Sequence, residues 1–192
     1  MARPKSITDA ELLAVARAAF LEHGYGVPVS TIARLAGVSS AAVFLRFPTK
    51  EALFQRVILG AFEAQVLAVL PEVDSEPIPA RALTVLARAL LAFFRQHAGL
   101  VLLRAAAGSN RMCALGEGGQ GPAPVISGWF QRQVDAGRFV EVDPALTARV
   151  FCATLGDYAM VEAAGLHPPP AVDPELYIAA VVQLTLNGLL PR

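Results

Sequence analysis

Between Pro28 and Lys50 the chain gathers side chains that could grip a polyanion and read flat, polar edges. Thr31 and Arg34 come first, then the small cluster Ser39, Ser40 and Ala41, then Phe44, Leu45 and Arg46, then Thr49 and Lys50. Hydroxyls, guanidinium and ammonium groups donate to phosphate oxygens and base edges, while small residues let a backbone come close to a duplex. The chemistry on offer is recognition rather than bond making. Elsewhere no Ser/His/Asp order and no carboxylate pair points to catalysis. The histidines His23, His97 and His167 lie far apart with no Glu or Cys at ligand spacing, so no metal site is expected. Gly116, Gly118 and Gly121 spell a dinucleotide-type glycine pattern. No strand precedes them, so they are read as a flexible loop and no cofactor is expected.

The recognition residues need a scaffold, and the spacing around Gly37 supplies one. Small Ala33 and Ala36 let two short helices cross closely, and Gly37 takes a turn conformation that other residues resist. Val38 and Val43 pin the second helix to the first. This is the spacing of a helix-turn-helix, which presents its second helix outward to the DNA major groove. A first helix opens at Thr8 with Glu11 three residues later, a capping box, and stops at Gly24. A fourth helix follows Thr49 and runs to about Leu70.

All long segments show the helical period, which predicts an all-α fold of about nine helices. The Pro- and acid-rich stretch Pro71 to Pro79 reads as a linker. Beyond it the breaks fall at His97 to Gly99, Gly116 to Pro122, Gly137 to Asp143 and His167 to Asp173. The predicted domains are 1–50, a three-helix DNA-binding head, and 51–192, a larger ligand-binding and dimerisation body.

The sequence resembles the TetR family of regulators. The residues that carry the likeness are Phe20, Gly24-Tyr25, Ile32-Ala33, Ala36-Gly37-Val38-Ser39, Phe44, Phe47-Pro48 and Thr49-Lys50-Glu51-Ala52-Leu53. The chain departs from the family in three donors. Val27-Pro28 stands where a Thr or Ser usually caps the second helix, Ser40-Ala41 where Lys-Gly is usual, and Phe44 where a Tyr hydroxyl is usual. Phosphate binding would then lean on Lys50, Arg46, Arg34 and the Arg3/Lys5 tail. The resemblance implies a ligand-responsive regulator, a repressor released from a double-stranded operator by a small hydrophobic effector. Arg46 is expected to read a base or a phosphate.

Composition agrees with a regulator that pairs with itself. Apolar residues make up 55% and charged residues 17% of the 192, against about 45–50% and ~25% in ordinary soluble chains. Such a chain must bury more surface than one small fold can hide, in a pocket or a dimer. Residues 1–60 carry seven basic and four acidic side chains, a net of +3, which leaves −3 for the rest. A basic head suits a polyanion.

The final helix is apolar nearly all round, and with the helix after Pro144 it is expected to form a four-helix homodimer interface through Val150, Leu155, Tyr177, Val181, Leu184 and Leu186. Pocket candidates are Phe93, Phe94, Leu103, Arg104, Met112, Trp129, Phe130, Gln133, Phe151, Asp157, Tyr158 and Met160. Cys113 and Cys152 are far apart and read as small apolar residues. No apolar run reaches the ~20 residues of a membrane span, and the basic start has no signal-type apolar core, so a cytoplasmic protein is expected. Two rival readings are a helical carrier of hydrophobic ligands without DNA function, and an enzyme with a helical cavity. The first predicts no salt-dependent DNA affinity, and the second needs acid–base groups that the body lacks.

Overall fold

The computed structural model describes residues 7–106, 122–166 and 172–189, with side chains left aside at 103–106. Every regular element among them is helical. They are α1 (Asp9–His23), α2 (Val29–Leu35), α3 (Ser40–Arg46), α4 (Lys50–Gln65), a 3₁₀ turn (Leu67–Val69), α5 (Leu70–Ser75), α6 (Pro79–Ala106), α7 (Pro122–Asp135), α8 (Pro144–Ala163) and α9 (Pro174–Leu189). The chain divides into two compact units, 1–61 with 100–112, and 62–99 with 113–192.

In the first unit the starts and stops are chemical. Thr8 Oγ1 accepts from Glu11 N while Glu11 returns a carboxylate to Thr8 N, the expected capping box. Ser39 caps α3 by accepting from Ala42 N at 3.1 Å, and Thr49 caps α4 by accepting from Ala52 N at 3.0 Å. The periodic apolar positions turn inward. Leu12, Ala16, Phe20, Ile32, Ala33, Val43, Leu53, Phe54 and Ile58 are buried. Phe54 meets Phe20 and Tyr25 edge-on, with centroids 5.2 and 5.1 Å away, a preferred geometry for ring quadrupoles.

The second unit packs α7 against α8 around Trp129, Phe130, Phe139 and Phe151. Phe130 lies 5.1 Å from Trp129 and 6.0 Å from each of Phe139 and Phe151. α8 joins α9 through Tyr158, whose ring centroid lies 4.5 Å from that of Tyr177, and through Tyr177 Oη, which donates to Thr154 O at 3.0 Å. Cys152 is buried there, and desolvation pushes its thiol up to about 12, so it stays a protonated, inert packing residue. Cys113 lies outside the described residues.

Two expectations about element boundaries are corrected. No break occurs at His97 to Gly99, because α6 runs unbroken through 28 residues. His97 and Leu100 are buried, and His97 Nδ1 sits 2.7 Å from Phe93 O one turn back. Packing on both sides of Gly99 outweighs the roughly 1 kcal/mol that a glycine costs inside a helix. The expected linker is also largely helical: α4 ends at Gln65, and α5 starts in time for Pro71 to occupy the first turn, where its missing N–H does no harm. Buried Val73 anchors it.

These continuities alter the membrane expectation as well. Lys50–Ser75 and Pro79–Leu102, of 26 and 24 residues, are long and apolar enough to cross a membrane by length and composition. Their packing is that of a globular helical unit. α6 buries Leu83, Leu86, Leu90 and Phe93, while Arg81, Arg88 and Arg95 recur every seven residues on an exposed face. Arg88 is bidentate to Glu175 and Arg95 to Glu162.

The corner between α2 and α3 depends on Gly37, whose φ is +70°. Val38 N and Ala36 N then donate to Ala33 O and Ile32 O, closing α2. A Cβ at Gly37 would meet nothing within 4 Å, so a side chain there would suffer backbone strain rather than collision. Gly37→Ala is expected to lower unfolding stability by about 1–2 kcal/mol, read as a lower urea midpoint with an unchanged slope.

Candidate nucleic-acid interface

α3 turns 104° away from α2, within the range of about 90–120° over which a helix-turn-helix sets its second helix outward. Val43 is 1% exposed and Phe47 8%, so one side of α3 is spent on the core. The opposite side shows Ala41, Phe44 and Leu45. Phe44 is 44% exposed and Leu45 87%. Alternate burial along seven residues follows from the helical period, with Val43 and Phe47 four apart on the inner side and Ala41 and Leu45 four apart on the outer.

The polar candidates fall into two sets. Arg34 on α2 and Ser39 and Thr49 at the caps are exposed, with Thr31 and Ser40 partly so. Arg46 does not project freely as expected. Its Nη1 donates to Ile7 O at 2.8 Å and lies 3.1 Å from Asp9 Oδ1, so it fastens the end of α3 to the start of α1. Lys50 leans over the Tyr25 ring, its Nζ 4.8 Å from the centroid, and partial burial lowers its pKa from the ordinary lysine value. Tyr25 Oη in turn donates to Glu51 Oε2 at 2.8 Å. Tyr25 and Asp9 were missed as organisers of this surface. The adjacency of Gly24-Tyr25 to the helix end was a signal for Tyr25; nothing in the spacing pairs Asp9 with Arg46. Arg3 and Lys5 lie outside the described residues.

The body candidates are only partly assembled. Phe93, Trp129, Phe130, Gln133, Phe151 and Tyr158 are buried in the second unit. Trp129, Phe130 and Phe151 join Phe139 in one ring cluster. Phe93 joins Phe62, Phe94 and His97 in another, with centroids 5.5, 5.4 and 4.7 Å from its own. Phe94 and Met160 are half-buried, and Tyr158 pairs with Tyr177 instead. Asp157 is exposed on α8, so it does not line an interior site. Trp129 Nε1 is buried without a hydrogen-bond partner among the described residues. Leu103 and Arg104 fall where side chains are not described, and Met112 outside the described residues altogether.

The surface expected to pair with a second copy is redrawn by burial. Leu155, Val181 and Leu186 are 0%, 5% and 7% exposed inside their own protomer, which takes them off a contact face. The period explains it: the inner stripes of α8 and α9 claim these positions. Val150 and Leu184 are 59% and 72% exposed, and Tyr177 is half-buried. Leu146 and Ala153 extend the Val150 stripe on α8. Leu176 and Ala180 extend the Leu184 stripe on α9.

The family model of the tetR family of bacterial regulatory proteins matches residues 12–57, the segment that holds most of α1, all of α2 and α3, and the first half of α4. No curated protein matches the chain. A crystal structure from Mesorhizobium loti, assigned to the TetR-family transcriptional regulators, is 28% identical. It has a TM-score of 0.71, and the match covers 95% of this chain and 96% of that one. The flavonoid-responsive regulator FrrA is 26% identical with a TM-score of 0.62, over 96% and 97% of the two chains. The transcriptional regulator FadR from Bacillus subtilis, solved with stearoyl-CoA, is 15% identical and shares the fold with a TM-score of 0.68, over 94% and 99%. In this shared fold the long apolar helices are packed elements. The chain thus carries the sequence signature of the tetR family of bacterial regulatory proteins in its first unit and is similar in fold, along nearly its whole length, to TetR-family transcriptional regulators.

Proposed function

We propose that this protein is a cytoplasmic, homodimeric DNA-binding repressor that a small hydrophobic effector releases from its operator. The observation that carries the reading is α3, held 104° from α2 with its outer face bare, inside a segment that matches the family's DNA-binding head. Arg34, Thr31, Thr49 and Lys50 would supply phosphate contacts that set register without reading sequence. The net charge of +3 over residues 1–60 would draw that head to the duplex.

The second copy would seat on the stripes of α8 and α9. Leu146, Val150, Leu176 and Leu184 are exposed there at 60%, 59%, 69% and 72%. Small Ala153, Ala179 and Ala180 beside them would let helices approach closely. A dimer would place two α3 helices on half-sites about 34–36 Å apart, which converts a short seven-residue reader into a specific one.

For the effector, two relatives of this fold bear names that state what they answer to or hold: a flavonoid-responsive regulator and a stearoyl-CoA complex. Both molecules combine an apolar body with hydrogen-bond acceptors. The buried, unsatisfied Trp129 N–H in an aromatic cluster suits such a ligand, because an orphaned donor costs about 1–3 kcal/mol that an acceptor would relieve. Effector binding would favour a body conformation in which the two heads no longer match the half-site spacing.

A gel-shift with DNA flanking the gene, repeated with a flavonoid and with stearoyl-CoA, tests the reading directly. Salt-dependent binding that one compound relieves is expected, with a parallel change in the emission of Trp129, the single tryptophan. Arg34→Ala and Lys50→Ala should each weaken binding to all duplexes and lower the salt slope by about 1. Affinity for the flanking DNA no greater than for random duplex, at every salt concentration, would reject the reading. For the dimer, Val150→Asp with Leu184→Asp is expected to leave a 20.2 kDa monomer in sedimentation, where the parent chain sediments at twice that mass. Unaltered sedimentation would remove this face from the interface.

A further inference from the structure

We infer that α3 reads its operator through thymine methyl groups, with Leu45 as the residue that sets sequence preference and Ala41 packing beside it. The inference rests on the reading above that α3 enters the major groove, and it names what α3 recognises there.

The argument is one of what α3 can offer. Guanine is read by a free Arg or Lys, and adenine by a bidentate Asn or Gln. The helix Ser-Ala-Ala-Val-Phe-Leu-Arg has no Lys, Asn or Gln. Its one cation, Arg46, is committed to Ile7 O and Asp9. Val43 and Phe47 are in the core, and Ser39 Oγ is already taken as the cap. What remains outward is Ala41, Leu45, the edge of Phe44 and a partly exposed Ser40. A lone exposed leucine is ordinary on a protein surface. Leu45 is not placed at random, however: at 87% it is the most exposed large apolar residue among those described, and it stands one helical turn from Ala41 on the side away from the core. The thymine C5-methyl is the one feature of an unmodified major-groove edge that asks for an apolar partner and no hydrogen bond. Ser40 can bond either an acceptor or a donor and so does not override that preference.

The test begins with selection of bound duplexes from a random-sequence library by the full-length protein. The enriched duplex is then resynthesised with dU in place of dT, one symmetric pair of positions at a time. This swap deletes the methyl and keeps every hydrogen-bonding atom. At fixed salt the parent protein is expected to lose about fourfold in affinity for each contacted methyl removed, and so about sixteenfold for a symmetric pair, at one or two positions per half-site. Leu45→Ala should bind the dT and dU duplexes equally, whereas Arg34→Ala should bind both more weakly and keep the difference of about sixteenfold. Leu45→Gln should shift the enriched base at that position towards adenine. The inference is overturned if dU is tolerated everywhere by the parent protein, or if both Leu45 variants still discriminate dT from dU. Failure to enrich any duplex would instead bring down the DNA-binding reading, and this inference with it.

Discussion

The first unit hangs on a backbone conformation at one residue. Gly37 holds φ at +70°, and only because it does so can Val38 N reach back to Ala33 O while α3 leaves at 104° to α2. Ile32, Ala33 and Val43 then close over each other with almost no exposure. Tight, small-residue packing makes the angle hard to vary, since a close-packed interior deforms in steps rather than smoothly. What α3 shows to solvent is therefore fixed by what it buries. The inner positions go to the core and the outer ones to solvent, with no side chain doing both.

The first unit also uses charged side chains to hold its short helices in place. Arg46 ties α3 to the beginning of α1, and Lys50 rests on Tyr25, which itself reaches Glu51. Partly exposed contacts of this kind contribute little energy each, about 0–1 kcal/mol for an ion pair and about 0.5–1 kcal/mol for a cation–π contact. Their value lies in fixing where the short helices sit. Arg34 remains exposed on α2.

Much of this was legible in the residues. The capping box at Thr8, the caps at Ser39 and Thr49, the Ala-Gly-Val corner and the apolar faces of α1 and α4 all follow local rules, and local rules survive folding. The misread places are those where distant packing decides. Gly99 looked like a stop until burial of His97 and Leu100 carried α6 through it. Pro71 looked like a linker residue although it suits a first turn. Leu155, Val181 and Leu186 looked like contact residues because apolarity alone does not tell an inner face from an outer one. Arg46 looked like a reader, since nothing local reveals that Ile7 O and Asp9 wait for it 39 and 37 residues upstream. Asp157 was drawn inward by its apolar neighbours, yet its own charge keeps it in water.

The glycine at the corner also limits how this protein can change over generations. Besides glycine, asparagine and aspartate are the residues that tolerate a left-handed backbone best. From any glycine codon a single base substitution cannot reach asparagine, and the route to aspartate would set a carboxylate in the exposed bend between α2 and α3. Backbone geometry rejects most one-step replacements, and, should the unit bind DNA as proposed, electrostatic repulsion from phosphates would oppose the remaining one. Drift at position 37 is accordingly narrow, while the exposed outer positions of α3 can diversify without touching the frame that holds them.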